Sequence, residues 1–279
     1  MTATGPVLEA RGLAKRYRRG VWALGGIDLE LPAGGITALV GPNAAGKSTL
    51  IKTWVGFEKP TRGSAAVMGI DPWRDRSKAL ANLGYVPQSP ALYDGLSVED
   101  HLDLAVQLRP GFDRAYARDR LAQLDIPATA GARSLSGGQQ AQVSLALALG
   151  TRAPILLLDE PLASLDPLAR REFLHVLADA VRVDGATTLL SSHIVTDVEQ
   201  SCDRLIVLGV GHVLIHDTVA NALAGHAIST SERTDAVAAF AAPDSSRIWL
   251  VRGTGDRPAT LDEVVLGYLA SSRSKTAAA

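Results

Sequence analysis

The feature that most constrains the fold is a short apolar run that leads directly into a glycine-rich segment. Ile36–Val40 is predicted to be a buried strand, and it is followed by Gly41-Pro42-Asn43-Ala44-Ala45-Gly46-Lys47-Ser48-Thr49. Residues 41–48 match G-x-x-x-x-G-K-[S/T], a phosphate-binding loop that needs a strand before it and a helix after it. A helix is predicted to about residue 55. Lys47 is expected to reach the β- and γ-phosphates of a nucleotide, and the Ser48 hydroxyl to ligate Mg²⁺.

Two adjacent carboxylates follow a second predicted strand, Ile155–Leu158. Asp159 is suited to hold Mg²⁺ directly or through water, and Glu160 is a candidate to polarise the attacking water. Alone, this pair is weak evidence, because carboxylates that face solvent at a strand end show the same pattern. Its separation from the phosphate loop favours a Mg²⁺-dependent nucleoside triphosphatase.

Apolar runs alternate with helical segments, which predicts an α/β fold with a mainly parallel sheet. Further strands are expected at 7–13, 27–31, 83–86 and 187–190, and helices within 97–124 (broken at Pro110-Gly111), 136–149 and 168–181. One domain is expected over residues 1–225, with a helical insert at about 90–150. Residues 226–279 are expected to be a small C-terminal appendage, with a helix at 261–269 and a disordered tail from Ser271.

Composition excludes several classes of function. The net charge of −1 provides no global basic field, so nucleic acid is not an expected partner. Cys202 is the single cysteine, which excludes an intrachain disulfide and a multi-cysteine metal site. No stretch approaches the roughly 20 apolar residues that span a bilayer. If the protein acts at a membrane, another chain is expected to supply the membrane part.

A pentapeptide identifies the kind of nucleotide-binding protein. The segment Leu135-Ser136-Gly137-Gly138-Gln139 resembles the signature of ATP-binding cassette (ABC) proteins. Its Ser136 lies 24 residues before Glu160, where that family places the signature. Other matches follow in that family's order: Tyr17 resembles the aromatic A-loop residue, Gln88 the Q-loop, Ser164-Leu165-Asp166-Pro167 the D-loop and Ser191-Ser192-His193 the switch histidine. The resemblance covers most of residues 7–225. It implies a P-loop NTPase of the ABC type, with an N-terminal antiparallel β part, a mainly parallel core sheet and a helical subdomain.

The resemblance implies a role for each matching residue. Tyr17 would stack on adenine, with Trp22 as a rival. Gln88 would sense Mg²⁺ or the attacking water and link the site to a transporter subunit. His193 would contact the γ-phosphate and hold the geometry of Glu160 and the water.

The signature implies a site shared between two subunits. Ser136, Gly137, Gly138 and Gln139 lie at a predicted helix N-terminus, which presents N–H groups and a hydroxyl to an anion. In the resembling family that anion is the γ-phosphate held by the other subunit, and Asp166 of the D-loop belongs to the same nucleotide-binding set. Two subunits, identical or related, would therefore sandwich two ATP molecules.

Three departures from the family pattern stand out. Ala44 replaces a glycine that many relatives have, which is acceptable if its φ is negative. Gln142 replaces an arginine, and it is expected to alter a surface or interdomain contact rather than hydrolysis. Ser164 replaces a small residue and is expected to fit. Because every residue assigned to hydrolysis is present, we expect an active ATPase.

The leading hypothesis is the ATP-hydrolysing subunit of an ABC exporter. It would lie at the cytoplasmic face of the cell membrane, held by a separate permease that docks near Gln88 and residues 89–110. The segment 261–269 is similar to the C-terminal segment of ATPase subunits in bacterial drug, lipid and polysaccharide exporters. Alternatives are an importer ATPase, a soluble ABC ATPase that acts on ribosomes or DNA, and an ATP-binding regulator with little hydrolysis, against which Glu160 and His193 argue.

Overall fold

The predicted phosphate loop follows a strand inside the largest sheet. The computed structural model describes residues 5–18, 20–163, 165–242 and 245–277. Its strands, in chain order, are β1 (Leu8–Arg16), β2 (Trp22–Leu31), β3 (Ile36–Val40), β4 (Arg62–Val67), β5 (Leu83–Val86), β6 (Ile155–Leu158), β7 (Thr187–Ser192), β8 (Arg204–Gly209), β9 (His212–Thr218), β10 (His226–Ser229), β11 (Ala238–Ala241), β12 (Arg247–Arg252) and β13 (Arg257–Pro258). Its helices are α1 (Lys47–Trp54), α2 (Arg76–Ala81), α3 (Val98–Leu108), α4 (Arg114–Gln123), α5 (Gly137–Gly150), α6 (Pro167–Asp184), α7 (Val195–Ser201), α8 (Val219–Ala224) and α9 (Leu261–Ala277).

The largest sheet has the strand order β5-β6-β7-β3-β8-β9. The first five strands are parallel, and β9 is antiparallel to β8. Along β6, Ile155 and Leu157 pack into one apolar cluster while Leu156 and Leu158 pack into another. A continuous apolar run is what a parallel strand with two covered faces requires. The sheet confirms the predicted α/β fold and brings the carboxyl ends of β3, β6 and β7 side by side.

A smaller antiparallel sheet, in the order β2-β1-β4, precedes and flanks the phosphate loop. It confirms the expected N-terminal antiparallel part, although β2 begins at Trp22 rather than at residue 27. Gly25 and Gly26 weaken the strand pattern there, whereas β2 pairs with β1 on both sides of a register shift at Gly26. The indole Nε1 of Trp54 donates a hydrogen bond to the carbonyl oxygen of Glu9 at 2.8 Å, which ties α1 to this sheet.

Helices α3, α4 and α5 form the helical part between β5 and β6. Ser97 caps α3 in a reciprocal pair with Asp100. The chain breaks between α3 and α4, as Pro110-Gly111 predicts. Helix α5 begins after Ser136, whose side chain accepts a hydrogen bond from the Gln139 N–H, as expected for an N-cap.

The C-terminal region contains structure that the sequence pattern did not predict. Strands β10 to β13 form a sheet in the order β11-β12-β10-β13, although their Ala-, Ser- and Arg-rich sequence lacks a clear alternation. Helix α9 starts at Leu261 as predicted but continues to Ala277. The expectation of a disordered tail is therefore wrong for residues 271–277, which are helical. Ala and Lys favour helix, and a docked first turn removes the nucleation cost. Leu261 and Val265 pack with Val198 and Val207 of the body; the boundary near residue 225 stays a prediction.

Candidate functional site

Lys47 is the first residue of α1, and its ammonium group lies inside the phosphate loop. Nζ donates to the carbonyl oxygens of Gly41 at 2.6 Å and Pro42 at 3.1 Å. It also lies 2.9 Å from Oε1 of Glu160, and both side chains are buried. A buried cation at a helix N-terminus is the electrostatic requirement for binding phosphate oxygens.

The loop needs glycine at its two motif positions. A Cβ on Gly41 would lie 2.2 Å from the carbonyl oxygen of Leu208, and Gly46 has a φ of 107°. Ala44 was expected to fit the loop if its φ is negative, but its φ is 64°. The left-handed conformation of an alanine costs roughly 1–2 kcal/mol, so this loop carries local strain. The backbone closes on itself at this point, since the Ala45 N–H donates to the Pro42 carbonyl.

Oxygen donors suited to a hard cation lie beside the loop. The Ser48 hydroxyl donates to Oδ1 of Asp159 at 2.8 Å, and the Ser191 hydroxyl lies 3.2 Å from the same oxygen. Asp159 is 1% exposed. Burial raises the pKa of Tyr85 to about 12, and the nearby charge of Asp159 acts in the same direction. A hydroxyl and a carboxylate fit Mg²⁺, which takes few protein ligands and completes its shell with water and phosphate.

Glu160 and His193 meet at the ends of β6 and β7. His193 Nδ1 lies 3.3 Å from Oε2 of Glu160. The Glu160 backbone has a φ of 48°, and its N–H donates to the Ser191 hydroxyl at 2.7 Å. Strained backbone held by surrounding hydrogen bonds is characteristic of functional positions. The carboxylate and the imidazole are therefore placed to orient and deprotonate a water molecule.

A cavity of about 410 Å³ joins the phosphate loop to the aromatic residues of the N-terminal sheet. It is lined by residues 43–49 together with Gln88, Glu160, Tyr17, Trp22, Val21 and Ala23. The structure therefore brings Gln88 to the loop, as expected; Val21 and Ala23 carry no chemical signal in the sequence and were missed. Tyr17 and Trp22, the two candidates for stacking on adenine, both line the cavity.

The surroundings of the two aromatic residues differ. Tyr17 donates or accepts a hydrogen bond with the Thr49 hydroxyl at 3.3 Å, and the Lys15 ammonium lies 5.2 Å from its ring centre. Partial burial raises the pKa of Tyr17. The guanidinium groups of Arg16 and Arg62 each lie 5.7 Å from the Trp22 ring.

The signature residues lie elsewhere. In the described part of the chain, Ser136, Gly137, Gly138 and Gln139 do not line the cavity, and neither does Asp166. Ser136 and Gln139 cap α5 reciprocally, and Asp166 caps α6 by accepting from the Leu168 and Ala169 N–H groups. Ser164 lies outside the described residues.

Gln142 is buried, so the surface contact expected for it from the sequence is wrong, while the alternative of an interdomain contact stays a prediction. It is 5% exposed, and among the described residues neither atom of its side-chain amide has a hydrogen-bond partner. Its position on α5, with the buried residues Ala141 and Val143 on either side, removes it from solvent.

Comparisons with known proteins agree with this geometry. The family described as ABC transporter matches residues 24–163. The phosphonates import ATP-binding protein PhnC of Thiobacillus denitrificans is 34% identical over 238 residues, covering 80% of this chain and 91% of that protein. The chain belongs to the ABC transporter family, as an ATP-binding subunit. The probable multidrug ABC transporter ATP-binding protein YbhF of Escherichia coli is 36% identical, over 75% of this chain and 37% of that protein.

A solved relative extends the comparison to the fold. A bacterial ABC transporter cassette, solved as a dimer, superposes with a TM-score of 0.69 at 25% identity, covering 76% of this chain and 98% of that one. ABC ATP-binding subunits hydrolyse ATP to power transport, work with membrane permease components and dimerise. Within the described residues, no helix is both long and apolar enough to cross a membrane.

Proposed function

We propose that this ABC subunit hydrolyses Mg²⁺-bound ATP with Glu160 as the group that polarises water. The observation that carries the proposal is the convergence of Lys47, Asp159, Glu160 and His193 at the carboxyl ends of β3, β6 and β7. Lys47 binds the β- and γ-phosphates, and His193 holds the carboxylate in position. Ser48 and Asp159 would hold Mg²⁺, with Gln88 as a further ligand; the ion, when bound, would supply positive charge to neutralise the phosphate oxygens.

The site is completed by a second subunit. At the N-terminus of α5, Ser136 and Gly137 are exposed and Gly138 and Gln139 are half-buried, and none of the four lines its own chain's cavity. A helix N-terminus provides N–H donors for an anion, so these residues of one subunit would close over the ATP bound at Lys47 of the other. ATP would then favour the closed dimer, and hydrolysis would release it.

Mixing two inactive variants tests this shared site. Lys47→Ala removes the phosphate cation, and Ser136→Arg blocks the signature. In a mixed dimer, the intact loop of one chain faces the intact signature of the other, so the mixture should hydrolyse ATP faster than either variant alone. Turnover no higher than that of the separate variants would refute the shared site, while Lys47→Ala activity at the parent rate would refute the phosphate-loop assignment itself.

We infer further that the permease partner exports its substrate and holds the subunit at the cytoplasmic face of the membrane. The similarity of residues 261–269 to exporter subunits and the 36% identity to YbhF support this direction. Import is the second candidate, favoured by the 34% identity to PhnC. The subunit and its co-purified permease, reconstituted in vesicles with ATP on the outside, should move the substrate inward if the system exports and outward if it imports.

A further inference from the structure

An ion pair joins α6 to α7 beside the candidate site. Arg170 Nε lies 3.7 Å from Oδ2 of Asp197, and both side chains are largely shielded from solvent, at 21% and 15% exposure. In the described structure neither of these two atoms has a hydrogen-bond partner, so each faces mainly the other. Arg170 also donates through Nη2 to the carbonyl oxygen of Leu165 at 3.2 Å.

Each partner lies close in sequence to a residue of the site. Arg170 is on the first turns of the helix that follows Glu160, and its contact with Leu165 is in the connecting segment. Asp197 is in the first turn of α7, which begins directly after His193 and Ile194. The ion pair therefore links the segment that follows Glu160, at the start of α6, to the segment that follows His193, at the start of α7.

The imidazole of His193 is only partly shielded by the protein. The His193 side chain is 47% exposed, and its ion-pair contact is Glu160 at 3.3 Å. On one side, Val195 and Val198 pack α7 into an apolar cluster. The Arg170–Asp197 pair adds a charged contact to this apolar packing.

We propose that Arg170 and Asp197 are positioning residues that hold α7, and through it His193, in contact with Glu160. The proposal rests on the proposed role of His193 in ATP hydrolysis. Burial raises the pKa of Asp197, while the charges of Arg170 and His193 oppose that rise, so the carboxylate interacts with both groups.

The segment containing Leu165 also contacts the signature helix. A Cβ on Gly138 would meet the Ala169 Cβ at 3.2 Å and Leu165 Cδ2 at 4.0 Å. The Arg170–Leu165 contact is therefore adjacent to the signature helix as well as joined to α7 through Asp197.

The test uses Asp197→Asn, Arg170→Met, Arg170→Lys and the double variant Arg170→Met/Asp197→Asn. A displacement of about 1 Å can lower a rate by about a hundredfold, so each single loss should lower kcat about tenfold or more, with KM for ATP within about twofold of the parent. The double variant should be no slower than the singles, because residues that act through one contact are not additive. Arg170→Lys should recover part of the rate, since it restores the cation.

Arg182→Met is the matched control, because Arg182 lies on the same helix in an exposed pair with Asp179. It should keep the parent kcat. Thermal unfolding and binding of a fluorescent ATP analogue measure how much of each variant is folded and binds ATP. The proposal would be overturned if Asp197→Asn and Arg170→Met kept the parent kcat. It would also be overturned if their losses of kcat matched their losses of folded, ATP-binding protein. His193→Ala is measured in parallel; parent turnover there would refute the role of His193 itself, rather than the pair.

Discussion

The Lys47 ammonium and the Glu160 carboxylate form a buried ion pair, with Nζ 2.9 Å from Oε1. The side chains are 3% and 8% exposed, so each charge depends on the other for compensation. The residue proposed to bind phosphate is thus in contact with the residue proposed to polarise water. A phosphate group entering the loop would compete with Glu160 for Lys47, which would couple binding of the nucleotide to release of the carboxylate.

Glu160→Gln separates these two roles. The amide keeps the shape of the side chain but cannot accept a proton, so turnover should fall by about 10²–10⁴-fold. ATP affinity should be kept or increased, because Lys47 loses its charged competitor. Steady-state hydrolysis and equilibrium binding of ATP measure the two effects. Glu199→Gln, at an exposed position of α7, is the control and should behave like the parent; parent turnover in Glu160→Gln would show that another group polarises the water.

Ala44→Gly should stabilise the protein. Ala44 has a φ of 64°, a region that glycine occupies without steric penalty. The relief of strain outweighs the greater freedom of glycine in the unfolded chain, so we expect a gain of about 0.5–1 kcal/mol and a rise in Tm of about 1–4 °C. Ala45→Gly is the matched control: Ala45 is buried and is not among the positive-φ residues, so its replacement should lower Tm. A lower Tm for Ala44→Gly would show that the loop is not strained at this residue.

The sequence predicted those parts of the fold in which a local pattern has one physical solution. Ile155–Leu158 is a short, fully apolar run bounded by Pro154 and two carboxylates, which favours a strand with both faces buried, and Ser136 with Gln139 is a reciprocal cap in any helix that starts there. The site was predicted as a set of residues, but its contacts were not, since the Lys47–Glu160 pair joins residues that follow two different strands, β3 and β6.

What could not be predicted depends on long-range contacts. Strands β10 to β13 contain few alternating apolar residues, and they are stabilised by a cluster that includes Val264 and Tyr268 of α9. The burial of Gln142 likewise depends on the elements packed around α5. Tertiary context overrides local propensity at such positions.

Tyr17→Ala should weaken binding of ATP more than binding of inorganic triphosphate. An aromatic ring contributes about 1–3 kcal/mol when it stacks on a base, and triphosphate has no base to stack. Competition binding with both ligands measures the difference, and Trp22→Ala provides the comparison because Trp22 lines the same cavity. If Trp22→Ala alone shows the adenine-dependent loss, then Trp22 is the stacking residue; equal losses for both ligands in Tyr17→Ala would exclude stacking by Tyr17.

Glu263→Gln should destabilise the C-terminal region in a pH-dependent manner. Hydrogen bonds from Arg257 and the Thr260 N–H lower the pKa of Glu263 to about 2. A carboxylate with a lowered pKa contributes stability above its unfolded pKa, and this contribution is lost as pH falls toward the folded value. Because Arg257 is 48% exposed, solvent screening reduces the contribution to about 1–2 kcal/mol at pH 7.

Urea denaturation of parent and variant between pH 7 and pH 3 measures this contribution. The difference in free energy of unfolding should be constant from pH 7 to about pH 5 and should shrink below about pH 4.5, where the carboxylate of the unfolded chain becomes protonated. Glu232→Gln, at an exposed position of the same region, should show no difference across the range. A difference for Glu263→Gln that stays constant down to pH 3 would mean that the side chain stabilises α9 through its shape and hydrogen bonds rather than through its charge.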